Sequence, residues 1–190
     1  MKATSPLRKA PPLRADAARN RERILAAAEE VFLELGADAS LEEVARRAEV
    51  GIGTLYRRFP TREDLLAAAN NERLLAMAED SRTREAALDP AASMRAFVVE
   101  LVHHARHYRG LATSIGAVLH SGTPGCDACS EEGKRLLERA QKAGAIRKDV
   151  SFDDIVCVVT AVSLAVEQDA SPQARITHLV DVFLGGIETH

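Results

Sequence analysis

The stretch "GIGTLYRRFPTR", residues 51 to 62, decides the fold, because it packs two glycines, one tyrosine and three arginines together without an acidic residue. It follows "SLEEVARRAEV", residues 40 to 50, which opens with the Ser-x-x-Glu spacing of a capping box. In that helix Leu41, Val44 and Ala48 recur on one face. Two short helices joined by a tight turn, the second rich in Arg, are typical of a helix-turn-helix. The pattern predicts that the first helix braces the second, whose exposed face enters the major groove of B-DNA.

A phosphate-binding loop is the competing interpretation of the Gly-x-Gly spacing. Such a loop needs a third glycine or a Lys-Ser/Thr pair, and it follows a buried strand. Tyr56 stands where the third glycine would be, no Lys-Ser/Thr follows, and the preceding pattern is helical. These three departures exclude the phosphate loop.

The composition of the 190 residues predicts an all-α protein of about nine helices. Hydrophobic residues make up 46% and charged residues 28%, while aromatic residues make up only 4%, and the strong helix formers Ala, Leu, Arg and Glu abound. No apolar run approaches the roughly 20 residues that cross a bilayer, and the basic N-terminus lacks the apolar segment of a secretory signal. Three cysteines argue against a disulfide framework. We therefore expect a cytoplasmic protein without membrane association.

Positive charge is concentrated at the N-terminus. Residues 1 to 23 hold seven Lys or Arg against two acidic residues, although the whole chain has a net charge of −3. An anionic partner is therefore expected at the front of the molecule.

Helical periodicity and its breaks divide the chain into three parts. We predict a disordered basic arm over residues 1 to 14, a helix-turn-helix domain over 15 to 62 and a second helical domain over 63 to 190. In the first domain, a helix from Asp16 ends at Gly36, and Thr61-x-x-Asp64 caps a helix that runs to Asp80. The later helices are predicted over residues 90–107, 111–120, 131–142, 152–169 and 172–188.

Residues 21 to 69, "RERILAAAEEVFLELGADASLEEVARRAEVGIGTLYRRFPTREDLLAAA", resemble the N-terminal domain of the TetR/AcrR family of transcriptional regulators. The resemblance is carried by Ile24, Ala27, Ala28, Phe32, Gly36, the Val44-Ala45 pair, Gly53-Thr54-Leu55-Tyr56, Phe59 and the Leu65-Leu66 pair. The rest of the chain resembles the family in its length and in being predicted to be helical.

The resemblance implies roles for the residues of this stretch. Tyr56 contacts backbone phosphate through its hydroxyl, Thr54 caps the helix and touches phosphate, and Arg62 bonds phosphate at the start of the next helix. Leu55 and Phe59 pack inward. The residues expected to bind DNA are Ile52, Gly53, Thr54, Tyr56, Arg57, Arg58 and Arg62.

Several positions depart from the family pattern. Glu49 stands where the family often has Gly, and Gly51 where it has Ser or Thr. The apolar Ile52 can meet a thymine methyl group but cannot hydrogen-bond to a base. Arg46 and Arg47 lie on the bracing helix, where exposed charge is usual, and a role at phosphate is left open for both.

For the rear domain the resemblance implies an effector pocket and a dimer interface. The last two helices would pair with those of a second copy of the chain. The two DNA-binding domains of this dimer would then bind the two half-sites of a palindromic operator. Gly185-Gly186 would allow close approach there, or would reflect fraying near the terminus. The function implied is that of a repressor released from its operator by an unknown small molecule.

Two kinds of effector site remain open. An organic ligand would be lined by apolar residues and oriented by Tyr108 or a histidine; the pocket candidates are Phe97, Leu101, His104, Tyr108, Ile115 and Leu119. Alternatively, a metal or thiol sensor would use histidines one turn apart or a Cys-x-x-Cys pair; its candidates are His103, His107, His120, Cys126 and Cys129. The latter pattern is weak because it has no second paired cluster and no Glu between the histidines. Cys157 is expected in the core.

Catalysis has no sequence support. The chain has no Gly-x-Ser-x-Gly motif and no carboxylate cluster on an apolar background. A metal-dependent enzyme built on His103, His107 and His120 is the remaining alternative from another functional class. We predict that the protein is not an enzyme and needs no cofactor.

Overall fold

The computed structural model describes residues 12–169 and 172–187, and it confirms the all-α fold. Within these ranges there are ten α-helices and one short 3₁₀ helix at Leu111–Ser114. The α-helices are α1 (Pro12–Leu35), α2 (Leu41–Arg47), α3 (Ile52–Arg58), α4 (Arg62–Ala69), α5 (Asn71–Glu85), α6 (Pro90–Ala105), α7 (Ile115–Leu119), α8 (Pro124–Lys142), α9 (Phe152–Ala165) and α10 (Pro172–Ile187).

The first helix begins earlier than its periodicity predicted. α1 starts at Pro12, so residues 12 to 14 are helical and do not belong to the basic arm. Proline is well suited to a first helical turn because the amide hydrogen it lacks has no partner there. Residues 1 to 11 of the arm lie outside the described part of the chain.

Local signals set the ends of the helices in the reading head, which comprises α1 to α4. Gly36 ends α1 with φ of 95°, a left-handed conformation that favours glycine. Ser40 caps α2 by accepting the Glu42 amide at 3.2 Å. The predicted Ser-x-x-Glu capping box does not close, because Glu43 instead accepts hydrogen bonds from Arg46 and Arg47.

The second predicted capping box is present. The Asp64 amide donates to Thr61 Oγ1 at 3.0 Å, and the Thr61 amide donates back to Asp64 Oδ2 at 3.0 Å. The box fixes the start of α4 immediately after the turn that follows α3.

The helix predicted from Thr61 to Asp80 is divided in two. Asn70 is fully buried between α4 and α5, and its side-chain amide donates to the Leu66 carbonyl at 2.8 Å. A side chain that bonds back to its own helix competes with the helical ladder. The break separates the reading head from the rear helices, and the periodicity of the sequence did not reveal it.

Two rear helices also differ from prediction. α8 begins at Pro124 rather than at residue 131, with Thr123 as its N-cap. The helix predicted over residues 111–120 consists of the 3₁₀ turn followed by α7.

The loop after α1 bonds to the loop after α6, which belongs to the rear part of the chain. The Ala37 amide donates to the Arg109 carbonyl at 2.8 Å, and the Arg109 guanidinium donates to the Leu35 carbonyl at 2.9 Å. A Cβ at Gly36 would lie 2.9 Å from the Arg109 carbonyl oxygen, so glycine is required by space as well as by φ. The hydrophobic core runs without interruption from the head into the rear helices.

Candidate DNA interface and effector cleft

Helix α3 presents one face to the core and the other to solvent. Leu55 is fully buried and Phe59 is nearly so, as predicted. Ile52 and Tyr56 lie on the opposite face and are 37% and 45% exposed. The outer face of α3 therefore presents one aliphatic and one aromatic side chain to solvent.

Two glycines leave the start of this face without side chains. Gly51 is the N-cap of α3, with φ of −67° and ψ of 142°. A Cβ at Gly51 would meet nothing within 4 Å, and one at Gly53 would approach only Arg57 Nη1, at 3.8 Å. Nothing inside the free chain therefore requires glycine at either position.

The two arginines of α3 have no carboxylate partner among the described residues. The Arg57 guanidinium donates to Thr54 Oγ1 at 3.1 Å, and that of Arg58 donates to the Ala17 carbonyl of α1 at 3.0 Å. Both side chains are exposed, and their charge is therefore available to an anion. Thr54 does not cap α3, contrary to expectation, because Gly51 occupies the N-cap.

Arg62 has an internal role in the free chain. Its Nη1 donates to the Ala37 carbonyl at 2.8 Å and to the Ala39 carbonyl at 2.5 Å, and the side chain is only partly exposed. The guanidinium thus satisfies carbonyls of the loop after α1. Its predicted phosphate contact stays a prediction.

The arginines of the bracing helix differ from each other. Arg47 bonds both Glu34 and Glu43 and is 23% exposed, which marks it as part of the scaffold. Arg46 also bonds Glu43 but is 71% exposed. Hydrogen bonds from the two guanidinium groups lower the pKa of the Glu43 carboxyl to about 2.

Glu49, the first departure from the family pattern, occupies a strained position. Its φ is 51°, and it is the one non-glycine residue with positive φ in the described chain. Its carboxylate accepts a hydrogen bond from the Arg23 guanidinium of α1 at 2.8 Å. The Glu49 carboxylate, paired with Arg23, lies at the turn before α3.

Four of the six predicted pocket residues lie in the closed core instead of lining a cleft. Phe97, Leu101 and Ile115 are fully buried, and Leu119 is 3% exposed. His104, by contrast, lines an open cleft of about 340 Å³ between α5 and α6. This α5–α6 cleft is formed by Arg73, Ala76, Met77, Asp80, Glu100, His103, His104 and His107.

Tyr108, the sixth candidate, is fully buried and bonds to the reading head. It lines a separate cavity of about 220 Å³ together with Arg106, Arg109 and Glu167. Its hydroxyl donates to the carboxylate of Glu29, a residue of α1. His107 Nε2 lies 3.4 Å and an Arg73 guanidinium nitrogen 3.5 Å from the same carboxylate. Burial and the Glu29 carboxylate raise the pKa of Tyr108 well above its usual range, so the hydroxyl stays a donor.

Two family models match the chain. "Bacterial regulatory proteins, tetR family" matches residues 24–69, and "Transcriptional regulator SbtR-like, C-terminal domain" matches residues 89–189, more than half of the chain. The chain belongs to the TetR family. It is a DNA-binding transcriptional regulator that responds to a ligand.

Solved structures of other TetR-like regulators share the fold. The regulator SCO0520 from Streptomyces coelicolor is 34% identical, with a TM-score of 0.54 over 88% of this chain and 98% of that one. RolR in complex with resorcinol is 19% identical, with a TM-score of 0.64 over 89% of each chain. FadR from Bacillus subtilis in complex with stearoyl-CoA is 16% identical, with a TM-score of 0.60 over 88% of this chain and all of that one. No curated protein sequence matches.

The structure separates the residues proposed for a metal site in this TetR-family chain. His103 and His107 line the α5–α6 cleft, whereas His120 ends α7 and lies beside Asp153, 3.9 Å away. Among the described residues no group of three or more His, Cys, Asp or Glu is placed to hold a metal ion. Nothing favours the metal-sensing alternative.

The cysteines do not form an accessible thiol pair. Cys126 and Cys129 are fully buried, and burial raises the pKa of the Cys129 thiol to about 12. Cys157, expected in the core, is exposed on α9. The prediction for Cys157 was wrong because its helix is apolar on more than the one face that the chain itself buries.

The contacts of Glu29 and Glu49 were not anticipated from the sequence. Both pairs join residues more than twenty positions apart, so helical spacing carries no signal for them.

Within the described residues, no helix has both the length and the apolarity needed to cross a membrane.

Proposed function

We propose that this TetR-family regulator is a cytoplasmic repressor that binds a palindromic operator as a homodimer and is released by a small-molecule effector. The observation that supports the proposal most directly is the outer face of α3. There Tyr56, Arg57 and Arg58 are exposed together, without a carboxylate partner among the described residues.

The chemistry of this face suits a phosphate backbone with limited base contact. Arg57 and Arg58 neutralise phosphates, and the Tyr56 hydroxyl donates to a phosphate oxygen. Gly51 and Gly53 let the start of the helix approach the groove, since a side chain at either would project outward from the head. Ile52 then meets the methyl group of a thymine.

The last two helices supply the proposed dimer interface. Leu164 of α9 is 42% exposed and Val182 of α10 is 61% exposed. Ala161 and Ala165 extend the exposed apolar surface of α9, and Gly186 that of α10. Because α9 and α10 pack against each other, the two surfaces can join those of a second copy in a four-helix bundle.

The effector is proposed to act through the rear helices. The FadR and RolR structures are complexes with stearoyl-CoA and resorcinol, which are chemically dissimilar, so the fold does not prescribe the ligand. In this chain the effector would bind differently to the operator-bound and released states and so shift their populations.

The DNA interface is tested by removing its polar groups one at a time. The duplex is first selected by the wild-type protein from a random-sequence library. Tyr56→Phe removes only a hydroxyl, and Arg57→Gln replaces the guanidinium by a shorter, neutral amide, in side chains that the fold leaves exposed. We expect Arg57→Gln to weaken binding and to reduce the slope of log K against log salt by about 1, because one phosphate contact is lost.

Arg147→Gln is the matched control. Arg147 is also exposed and pairs with Asp149 on the loop between α8 and α9, remote from α3. Its substitution should change neither affinity nor salt slope. If Tyr56→Phe and Arg57→Gln combined left both quantities at their wild-type values, the assignment of α3 as the reading helix would be wrong.

A further inference from the structure

Most of the residues that line the α5–α6 cleft are polar or charged. Of its eight lining residues only Ala76 and Met77 are apolar. Its volume of about 340 Å³ lies at the lower end of the range for sites that hold small organic molecules. A molecule that binds in this cleft would therefore be recognised mainly through charge and hydrogen bonds.

The two ends of the cleft carry opposite charges. Arg73 and His107 mark one end, where both lie close to Glu29 of the reading head. Asp80 and Glu100 mark the other end, where Glu100 bonds to Arg84. The cleft therefore has a basic end next to α1 and an acidic end away from it.

The spacing of these ends sets the length of a matching ligand. Arg73 and Asp80 are seven residues apart on α5, which corresponds to about 10 Å along the helix axis. A linear molecule of five or six bonds between its terminal groups spans most of this distance, and the long Arg side chain covers the remainder.

Two of the histidines that line the cleft have ring nitrogens without hydrogen-bond partners. His103 Nε2 and His104 Nε2 are buried, and neither has a hydrogen-bond partner among the described residues. Burial lowers the pKa of His104 to about 4, so its ring is neutral near pH 7 and can donate one N–H. Unpaired buried polar atoms of this kind are rare and often mark a bound ligand or water.

The basic end is not fully saturated by its present partner. The Glu29 carboxylate is shared between Tyr108, His107 and Arg73, and the Arg73 contact is a loose 3.5 Å. A ligand carboxylate entering the cleft would compete with Glu29 for Arg73 and His107. This competition would weaken a link between the rear helices and α1, the first helix of the reading head.

We propose that the α5–α6 cleft is the effector site, that it takes a small linear molecule with a carboxylate at one end and an ammonium group at the other, and that the ligand carboxylate displaces Glu29 from Arg73 and His107. The ammonium group bonds Asp80 and Glu100, and the middle of the ligand lies along His103, His104 and Met77. This inference rests on the proposed function, since it names the effector class of that regulator.

The probe for this class is 6-aminohexanoate, compared with hexanoate and hexylamine, which each keep only one charged end. Binding to the free protein is measured by isothermal titration calorimetry, without DNA. We expect 6-aminohexanoate to bind at least about tenfold more tightly than either single-ended compound, because each end contributes a charge-assisted hydrogen bond. Equal affinities, or no saturable heat with millimolar 6-aminohexanoate, would overturn the proposed ligand class.

Variants locate the site. Arg73→Ala and Asp80→Asn should each weaken 6-aminohexanoate binding by about tenfold, while Arg147→Ala should leave it unchanged. Both altered side chains are exposed, and circular dichroism checks that each variant remains helical. Wild-type affinity in Arg73→Ala would place the probe outside this cleft, and wild-type affinity in Asp80→Asn would remove the acidic end from the proposal.

The displacement of Glu29 has its own readout. Glu29→Gln removes the competing carboxylate, so it should bind 6-aminohexanoate several-fold more tightly and the selected duplex more weakly, as reciprocal coupling requires. Unchanged probe affinity in Glu29→Gln would refute the displacement. The titrations use free protein, so a negative result in them would refute the proposed ligand and would not bear on DNA binding by α3. Conversely, unchanged DNA binding in the α3 variants would refute the assignment of the reading helix and would not bear on the titrations.

Discussion

At the scale of single residues, Glu49 combines a backbone cost with a local charge. A non-glycine residue in the left-handed conformation costs about 1 kcal/mol, and the Arg23–Glu49 pair is too exposed to offset much of it. The carboxylate also sits at the turn before the reading helix, where it repels phosphate. We therefore expect Glu49 to lower both the stability of the head and its affinity for DNA.

Substitution of Glu49 by Gly separates these two effects. We expect Glu49→Gly to be more stable than Glu49→Ala by about 1 kcal/mol, because only glycine relieves the strain while both remove the ion pair. Urea unfolding measures the difference in the free energy of unfolding.

The same two variants report on charge. Both should bind the selected duplex more tightly than wild type, since both remove the carboxylate and release Arg23. Equal stability of the two variants would show that the backbone at position 49 is unstrained, and unchanged DNA affinity in both would show that the carboxylate does not reach the phosphate field.

At the scale of elements, the crossing of α8 with α6 and α9 depends on a glycine in mid-helix. A Cβ at Gly133 would lie 2.2 Å from the Phe152 ring and 2.9 Å from the Phe97 ring. Helical propensity alone would favour alanine at this position by about 1 kcal/mol. Packing overrides propensity here because aromatic rings occupy the space of a methyl group.

Gly133→Ala is accordingly expected to lower the free energy of unfolding by about 2 kcal/mol, since overpacking outweighs the gain in propensity. The measurement is thermal or urea unfolding followed by circular dichroism. Gly116→Ala is the matched control, because its Cβ would meet only Val156 at 3.9 Å. A Gly133→Ala protein as stable as Gly116→Ala would show that the rings move aside without cost.

At the scale of the whole molecule, the exposed apolar surface of α9 and α10 is the proposed interface with a second copy. Val182 is 61% exposed in the single chain, so a charge there does not disturb its core. Val182→Arg should yield a helical monomer, because two like charges would meet across the two-fold axis. Size-exclusion chromatography with light scattering measures the change in mass.

The DNA affinity of Val182→Arg should fall as well, since a monomer engages one half-site at a time. Glu138→Arg on the exposed face of α8 serves as the control for an added arginine and should remain dimeric. A Val182→Arg protein that stays dimeric would move the interface away from this part of α10.

The sequence by itself determined the class of the fold and the orientation of the reading helix. The evidence came from local features: helical periodicity, the Thr61–Asp64 capping box and the glycine at position 36. Such features involve residues that are close in sequence, so they can be predicted from the sequence alone. The resemblance to the TetR family assigned Leu55 and Tyr56 to opposite faces of α3, and their burial agrees with that assignment.

Only the tertiary structure decided which polar groups are occupied and which are free. Arg62 was expected at phosphate but bonds carbonyls of the loop after α1, and four apolar pocket candidates fill the core. Glu29 meets Tyr108 across 79 positions of sequence. Such contacts depend on how helices pack, and packing is set by the shapes of side chains far apart in the chain, which no local period encodes.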